Sequence, residues 1–166
     1  MNDSVLFSPT GPGLHLLAIE QSPLADLMMR WGEKHPMWAV RRIRGEKSVD
    51  VARFFDEAAA ALQFPYYFGA NWNAFWECIT DLSWLWRPSF LLIFDRADVL
   101  LRDSPGDFAT LARVLADANE HWRAQQGDFG GAMIPVSFQT LLACSADALP
   151  ALAKRLEATG APFSLL

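Results

Sequence analysis

Cysteine is scarce in this chain of 166 residues, which holds only Cys78 and Cys144; long apolar runs, paired histidines and strong basic clusters are missing too. Two cysteines make no disulfide scaffold, and both sit where a small buried hydrophobe fits, so reduced thiols are expected. A catalytic thiol needs an activating base, and His15, His35 and His121 are distant in sequence from both cysteines. No CxxC or paired-His spacing offers a metal site, and no cofactor fingerprint is present. GDFGG at 127–131 lacks the Lys and Ser or Thr of a phosphate loop and reads as a turn. The apolar stretch FLLIF at 90–94 is far below membrane-spanning length, and no basic segment leads into an apolar run at the N-terminus, so a cytoplasmic location is expected.

Positive charge is also in deficit, with 14 Lys and Arg against 19 Asp and Glu and a formal net charge of −5. That balance favours basic partners and disfavours direct nucleic-acid binding, which needs clustered cations. The basic run RRIR at 41–44 reads as a solvated edge strand, with Arg42 and Arg44 on one face and Arg41 on the other. What the chain has in plenty is apolar side chains, 52% of the total, enough for one domain with a proper core.

Residues 1–12 are rich in Pro and Gly, and the first few are expected to be loose. A short strand over 14–19 precedes a helix with Ser22 as N-cap, Pro23 at its first position and Leu24, Leu27, Met28 and Trp31 as its apolar stripe up to Gly32. Residues 38–43 form the next strand. Ser48 or Asp50 then caps a helix that turns Val51, Phe54, Phe55, Ala58 and Leu62 inward. FLLIF has the continuous apolarity of a central parallel strand. A short helix over 95–101, a longer one over 107–125, a strand over 136–143, a helix over 146–159 and a closing edge strand at 163–166 complete the pattern. In the SWLWRP connection at 83–88, Trp84 and Trp86 either touch a partner or plug the core, with core packing favoured. Strands alternating with helices predict an α/β fold, a mainly parallel sheet with helices packed on it.

The densest information lies in residues 64–82, FPYYFGANWNAFWECITDL. Asn71 caps a helix over 72–82, and Gly69 before it permits a tight approach. Trp72, Phe75, Ile79 and Leu82 fall on one stripe, turned to the core. Asn73, Trp76, Glu77, Thr80 and Asp81 form a second stripe, polar except for one indole. Trp76 is either half buried under a neighbour or a binding anchor, since a stiff aromatic flanked by carboxylates suits an interface. Glu77 and Asp81 are either a solvated helix face or a site for a basic partner.

Residues 65–80, PYYFGANWNAFWECIT, resemble the signature of the barstar family of intracellular ribonuclease inhibitors, in which a Tyr-Tyr-Gly turn and an Asn precede a helix reading Leu-Asp-Ala-Leu-Trp-Asp-Cys-Leu-Thr. The identities are confined to that run, and beyond it elements align over 38–145, leaving extensions at 1–37 and 146–166 of a single domain. The resemblance implies that the turn and helix enter the active-site cleft of a basic ribonuclease, with helix carboxylates in the place of a substrate phosphate. Tyr67 then matches the stacking Tyr, Trp76 the helix Trp, and Glu77 the principal acid, one methylene longer than Asp. Asn73 departs from the pattern, which has a second Asp there. Asp117 aligns with a later acid of the family, against its reading as a solvated helix carboxylate. The expected partner surface is Tyr67, Gly69, Asn73, Trp76, Glu77, Thr80, Asp81 and Asp117.

The leading expectation is thus an immunity protein that binds a basic ribonuclease toxin one to one and blocks its active site without chemistry, cofactor or membrane. An alternative keeps the scaffold and changes the target to another effector toxin, as the missing acid at Asn73 suggests. A small enzyme or ligand-binding protein is the third reading, against which stands the lack of any nucleophile beside a base.

Overall fold

The structure, a computed structural model, describes residues 3–129 and 131–166. A 3-10 turn at Asp3–Val5 leads to strand β1 (Leu14–Ala18), helix α1 (Gln21–Lys34), β2 (Trp38–Arg44), α2 (Val51–Leu62), α3 (Trp72–Asp81) and β3 (Ser89–Asp95). Then come α4 (Pro105–Arg123), β4 (Gln126–Phe129), β5 (Ala132–Pro135), β6 (Ser137–Cys144), α5 (Leu149–Glu157) and β7 (Ser164–Leu165).

Strand alternation decides the layering. Along β3 every residue is buried, with Phe90, Leu92 and Phe94 in one apolar cluster and Leu91 and Ile93 in the other. The first cluster joins the sheet to α2, α3, α4 and α5 through residues such as Phe54, Phe75, Leu115 and Leu152; the second joins it to α1 through Leu24 and Trp31. All pairings in the five-stranded sheet are parallel, in the order β2-β3-β6-β1-β7. The fold is therefore α/β, a parallel sheet covered on both faces, as the continuous apolarity of 90–94 implies. Both terminal segments widen the sheet: β1 lies between β6 and β7, and β7 forms the edge opposite β2.

Several elements differ from the sequence reading. Asp95 closes β3 and residues 96–101 form turns, because their amides are drawn to neighbours: the Ala97 N–H donates to the Ala143 carbonyl (2.9 Å) and the Leu101 N–H to that of Ser48 (2.8 Å). Arg96 and Leu101 there adopt left-handed backbone, φ 46° and 52°. Helix α1 starts one residue before Ser22, with Glu20 at the cap, and runs through Gly32 to Lys34. Helix α5 begins at Leu149, after turns. The GDFGG run enters an antiparallel β4–β5 hairpin, with Gly130 outside the described residues. Met1 and Asn2 also lie outside them, and the residues that follow are tied down: Leu6 is fully buried and Asp3 pairs with Lys34 at 3.1 Å.

The edge strand β2 carries RRIR, but not as a merely solvated set. Arg44 forks onto Glu57 at 2.7 and 2.8 Å. Arg42 donates through Nε (2.6 Å) and Nη2 to the buried Asp95 carboxylate. The other Asp95 oxygen accepts from the Gly45 N–H at 3.3 Å. A Cβ at Gly45 would lie 2.3 Å from the Arg96 carbonyl oxygen, so this crossing requires glycine.

Candidate partner-binding face

The turn before α3 separates apolar from displayed aromatics. Its Phe68 N–H closes onto the Pro65 carbonyl at 3.0 Å. Phe64 and Phe68 pack together at 4.8 Å, and Phe68 also meets Phe55 at 5.9 Å, anchoring the turn to α2. Between these anchors Tyr66 stands free of the surface and Tyr67 is 68% exposed, their rings edge to face at 5.6 Å.

Asn71 then locks turn to helix. Its Oδ1 accepts from the Ala74 N–H at 2.9 Å, and its Nδ2 donates to the Gly69 carbonyl at 3.2 Å. A Cβ on Gly69 would sit 3.0 Å from that Nδ2, which is why the tight approach suits glycine; the left-handed residue is Ala70, φ 48°. Phe75, Ile79 and Leu82 are fully buried, while Trp72 is half buried and donates to Asp107 Oδ1 at 2.9 Å, tying the start of α3 to the start of α4. At the far end the Trp122 indole donates to the Ile79 carbonyl at 2.8 Å.

The opposite stripe divides in two. On one side Trp76 is half buried and meets the His121 ring of α4. Thr80 on this stripe uses its hydroxyl to donate to the Trp76 carbonyl at 2.7 Å. On the other side Glu77 and Asp81 line a cleft of about 240 Å³ with Tyr67, Phe68, Cys78 and Trp84. Asp81 Oδ1 accepts from the Ser83 N–H at 3.2 Å. Among the described residues the Glu77 carboxylate and the Asn73 side chain have no hydrogen-bond partner, the Glu77 carbonyl accepting from the Thr80 hydroxyl at 3.3 Å, and neither Glu77 nor Asp81 has a cation. Their field is felt locally: burial first, then the Asp81 and Glu77 charges, push the Cys78 thiol above its ordinary value.

The structure thus brings Tyr67, Glu77 and Asp81 into one cleft, with Asn73, Trp76 and Thr80 on the adjoining surface and Gly69 exposed just after the turn. Asp117 is exposed on α4 and lines a separate cavity of about 560 Å³ with Gly11, Pro12 and Phe163. Trp84 packs against the core as favoured, its indole donating to the Leu62 carbonyl at 2.9 Å, and it also lines the cleft. Trp86, in contrast, is 79% exposed, because its left-handed φ of 53° turns it out of the chain path. His121 was not a sequence candidate, and only its place on α4 relative to α3 reveals it.

Among the described residues no group of His, Cys, Asp and Glu has the arrangement to hold a metal ion, and both thiols are buried. Burial foremost, with nearby acids, pushes Cys144 up to about 11. Among the described residues, too, no helix is long and apolar enough to cross a membrane.

Residues 38–132 match the model of the Barstar family, described as Barstar (barnase inhibitor). No curated protein matches the chain. Among solved structures the fold is similar to the Aeropyrum pernix ORC2 protein, determined as ADPNP-ADP complexes, at 14% identity and a TM-score of 0.56. That match covers 98% of this chain and 44% of the other, so it includes both terminal segments and speaks for the fold alone.

Proposed function

Because the chain belongs to the barstar family, we propose that it is an intracellular inhibitor, an immunity protein that binds a basic ribonuclease toxin one to one and occludes its active site. The observation that carries this reading is a pair of carboxylates without cations, Glu77 and Asp81, in a cleft headed by the exposed Tyr67. Left alone, two such acids one helical turn apart repel each other mildly. A cationic active-site cleft turns that repulsion into attraction, and the aromatic side chains around the acids exclude water from the contact.

In this reading Tyr67 stacks on the enzyme, Trp76 supplies a stiff apolar anchor, and Glu77 and Asp81 stand where substrate phosphate charge would lie. Asn73 and Thr80 contribute polar rim, Gly69 shapes the turn, and Asp117 acts only if the partner reaches across α4. The protein performs no reaction of its own, and inhibition is steric and electrostatic. Asn73 in place of a family Asp, and Glu77 in place of another, favour a target whose cleft differs from that of barnase; a different effector toxin on the same scaffold is the second reading. The test is titration of RNA cleavage by candidate basic ribonucleases, any encoded beside this gene first among them: inhibition complete at one equivalent supports the first reading. Tight binding to a neighbouring toxin that does not cleave RNA supports the second, and no binding to either removes both.

A further inference from the structure

Far from α3 in role, the edge strand β2 floors a trough of about 410 Å³. One wall is α1, through Met28, Met29 and Gly32; the other is the segment after α3, through Leu85 and Arg87. These walls stand on opposite faces of the sheet: Trp38, Val40 and Met28 pack with the α1-side cluster, whereas Ala39 and Leu85 belong to the other. The trough therefore lies along the edge of β2 that has no neighbouring strand; there the Trp38 N–H donates to the His35 carbonyl at 2.9 Å and the Val40 carbonyl is met by the Arg41 side chain, local bonds that an added strand would replace or extend.

Its charge is out of keeping with the chain. In a protein of net charge −5, Arg41 and Arg87 both line the trough and, among the described residues, neither meets a carboxylate. Arg41 donates to the Val40 carbonyl at 3.2 Å and Arg87 to that of Trp86 at 3.1 Å. Burial and the Arg87 charge both push Arg41 below its ordinary value. By contrast, the other two arginines of the strand are both paired with acids. Apolar surface accompanies the cations, since Met29 is 70% exposed and Met37, beside the strand, is exposed as well.

We propose that the β2 edge is a second docking site, taking an extended acidic segment of a partner protein as an added strand. Side chains of an extended chain alternate between faces. One set would meet Met28 and Met29, and the other Arg41 and Arg87, so the matching segment alternates apolar with acidic residues. A second copy of this chain is a poor occupant, because pairing β2 with itself brings the unpaired arginines of both copies together. The site is independent of the face on α3, and its test reads a different part of the molecule.

The probe is an acetylated, amidated hexapeptide alternating Val and Glu, titrated into the full chain while backbone amide resonances are followed. Protection and shifts of the amides of 38–41 are expected, with affinity lower by roughly tenfold in the Arg41→Gln/Arg87→Gln variant, as for the loss of two partly exposed ion pairs. If that variant folds poorly, the peptide with Lys for Glu puts the same question to the unaltered protein and is expected to bind at least as much more weakly. Equal binding of the Lys peptide, no change at 38–41 up to millimolar peptide, or shifts centred on Tyr67 and Glu77 instead would overturn the proposal. So would sedimentation showing that the free chain already dimerises through β2.

Discussion

Trp76 and His121 meet edge to face across the α3–α4 boundary, with ring centroids 5.8 Å apart and ring planes at 74°. The contact holds the one indole of the binding stripe in place before any partner arrives, which lowers the ordering cost of association. Trp76→Ala is expected to weaken partner binding by about 2 kcal/mol or more, as for a central aromatic anchor. His121→Ala, which removes only the support, is expected to cost about 0.5–1 kcal/mol, the worth of one aromatic pair. Calorimetric titration of both variants checks the order; equal losses would mean that His121 itself contacts the partner.

In the proposed complex the carboxylates act earlier, by steering the encounter. Glu77→Gln and Asp81→Asn keep size and hydrogen-bonding capacity while removing charge, so they should slow association by about tenfold together and flatten its dependence on salt. Stopped-flow association at low and high ionic strength measures this. An unchanged salt slope would assign the steering to other acids of the chain.

Of the two ion pairs on β2, the one that reaches a buried carboxylate weighs most on stability. Asp95 is buried, and Arg42, whose side chain is 40% exposed, is the cation that meets it. Removing one partner of a fully buried pair costs about 3–5 kcal/mol; solvent screening at Arg42 reduces the expectation for Arg42→Ala to about 2 kcal/mol. Urea unfolding reads the change. A loss below half that figure would show that the Asp95 contacts to Gly45 and Gln21, at 3.3 and 3.4 Å, suffice.

One strand in from the opposite edge, His15 is fully buried in β1, its Nδ1 2.7 Å from Ser164 Oγ and its Nε2 2.9 Å from Gln139 Oε1. Burial pushes its pKa below the ordinary 6.5, against a smaller opposing effect of Gln139. A histidine held neutral on folding gives the unfolded chain the greater proton affinity. Stability from this site is therefore fully present above pH 6.5 and is lost as pH falls through the lowered folded value. Urea midpoints should drop between neutral and mildly acid pH, and His15→Gln should shallow that drop. His35 is lowered too, by burial and Lys34, so part of the slope should survive.

Helices and strands with strong periodicity were legible in the sequence. The cap at Asn71, the inward Phe75 and Ile79, and the continuous burial of 90–94 follow from side-chain type and spacing, which local physics enforces. The family too could be read from residues 65–80, because a turn and its helix are contiguous. What escaped depends on contacts distant in sequence. Residues 95–101 have helical composition, but their amides are claimed by Ala143 and Ser48. Arg42 looked solvated because Asp95 is 53 positions away. His121 and Trp84 join the candidate face through packing of α4 and of the segment after α3, which no spacing rule anticipates. Arg41 and Arg87, 46 positions apart by number, become neighbours only when β2 is placed at the sheet edge.

The central claim, that the α3 face blocks a basic ribonuclease, is tested most directly by the inhibition constant of a Trp76→Ala/Glu77→Gln/Asp81→Asn variant against a ribonuclease that the unaltered chain inhibits, after circular dichroism and thermal unfolding show the fold intact. The account predicts a loss of at least about a hundredfold in inhibition, from one anchor and two charges acting at one contact. Inhibition equal to that of the unaltered chain would contradict it and move the inhibitory surface elsewhere on the molecule.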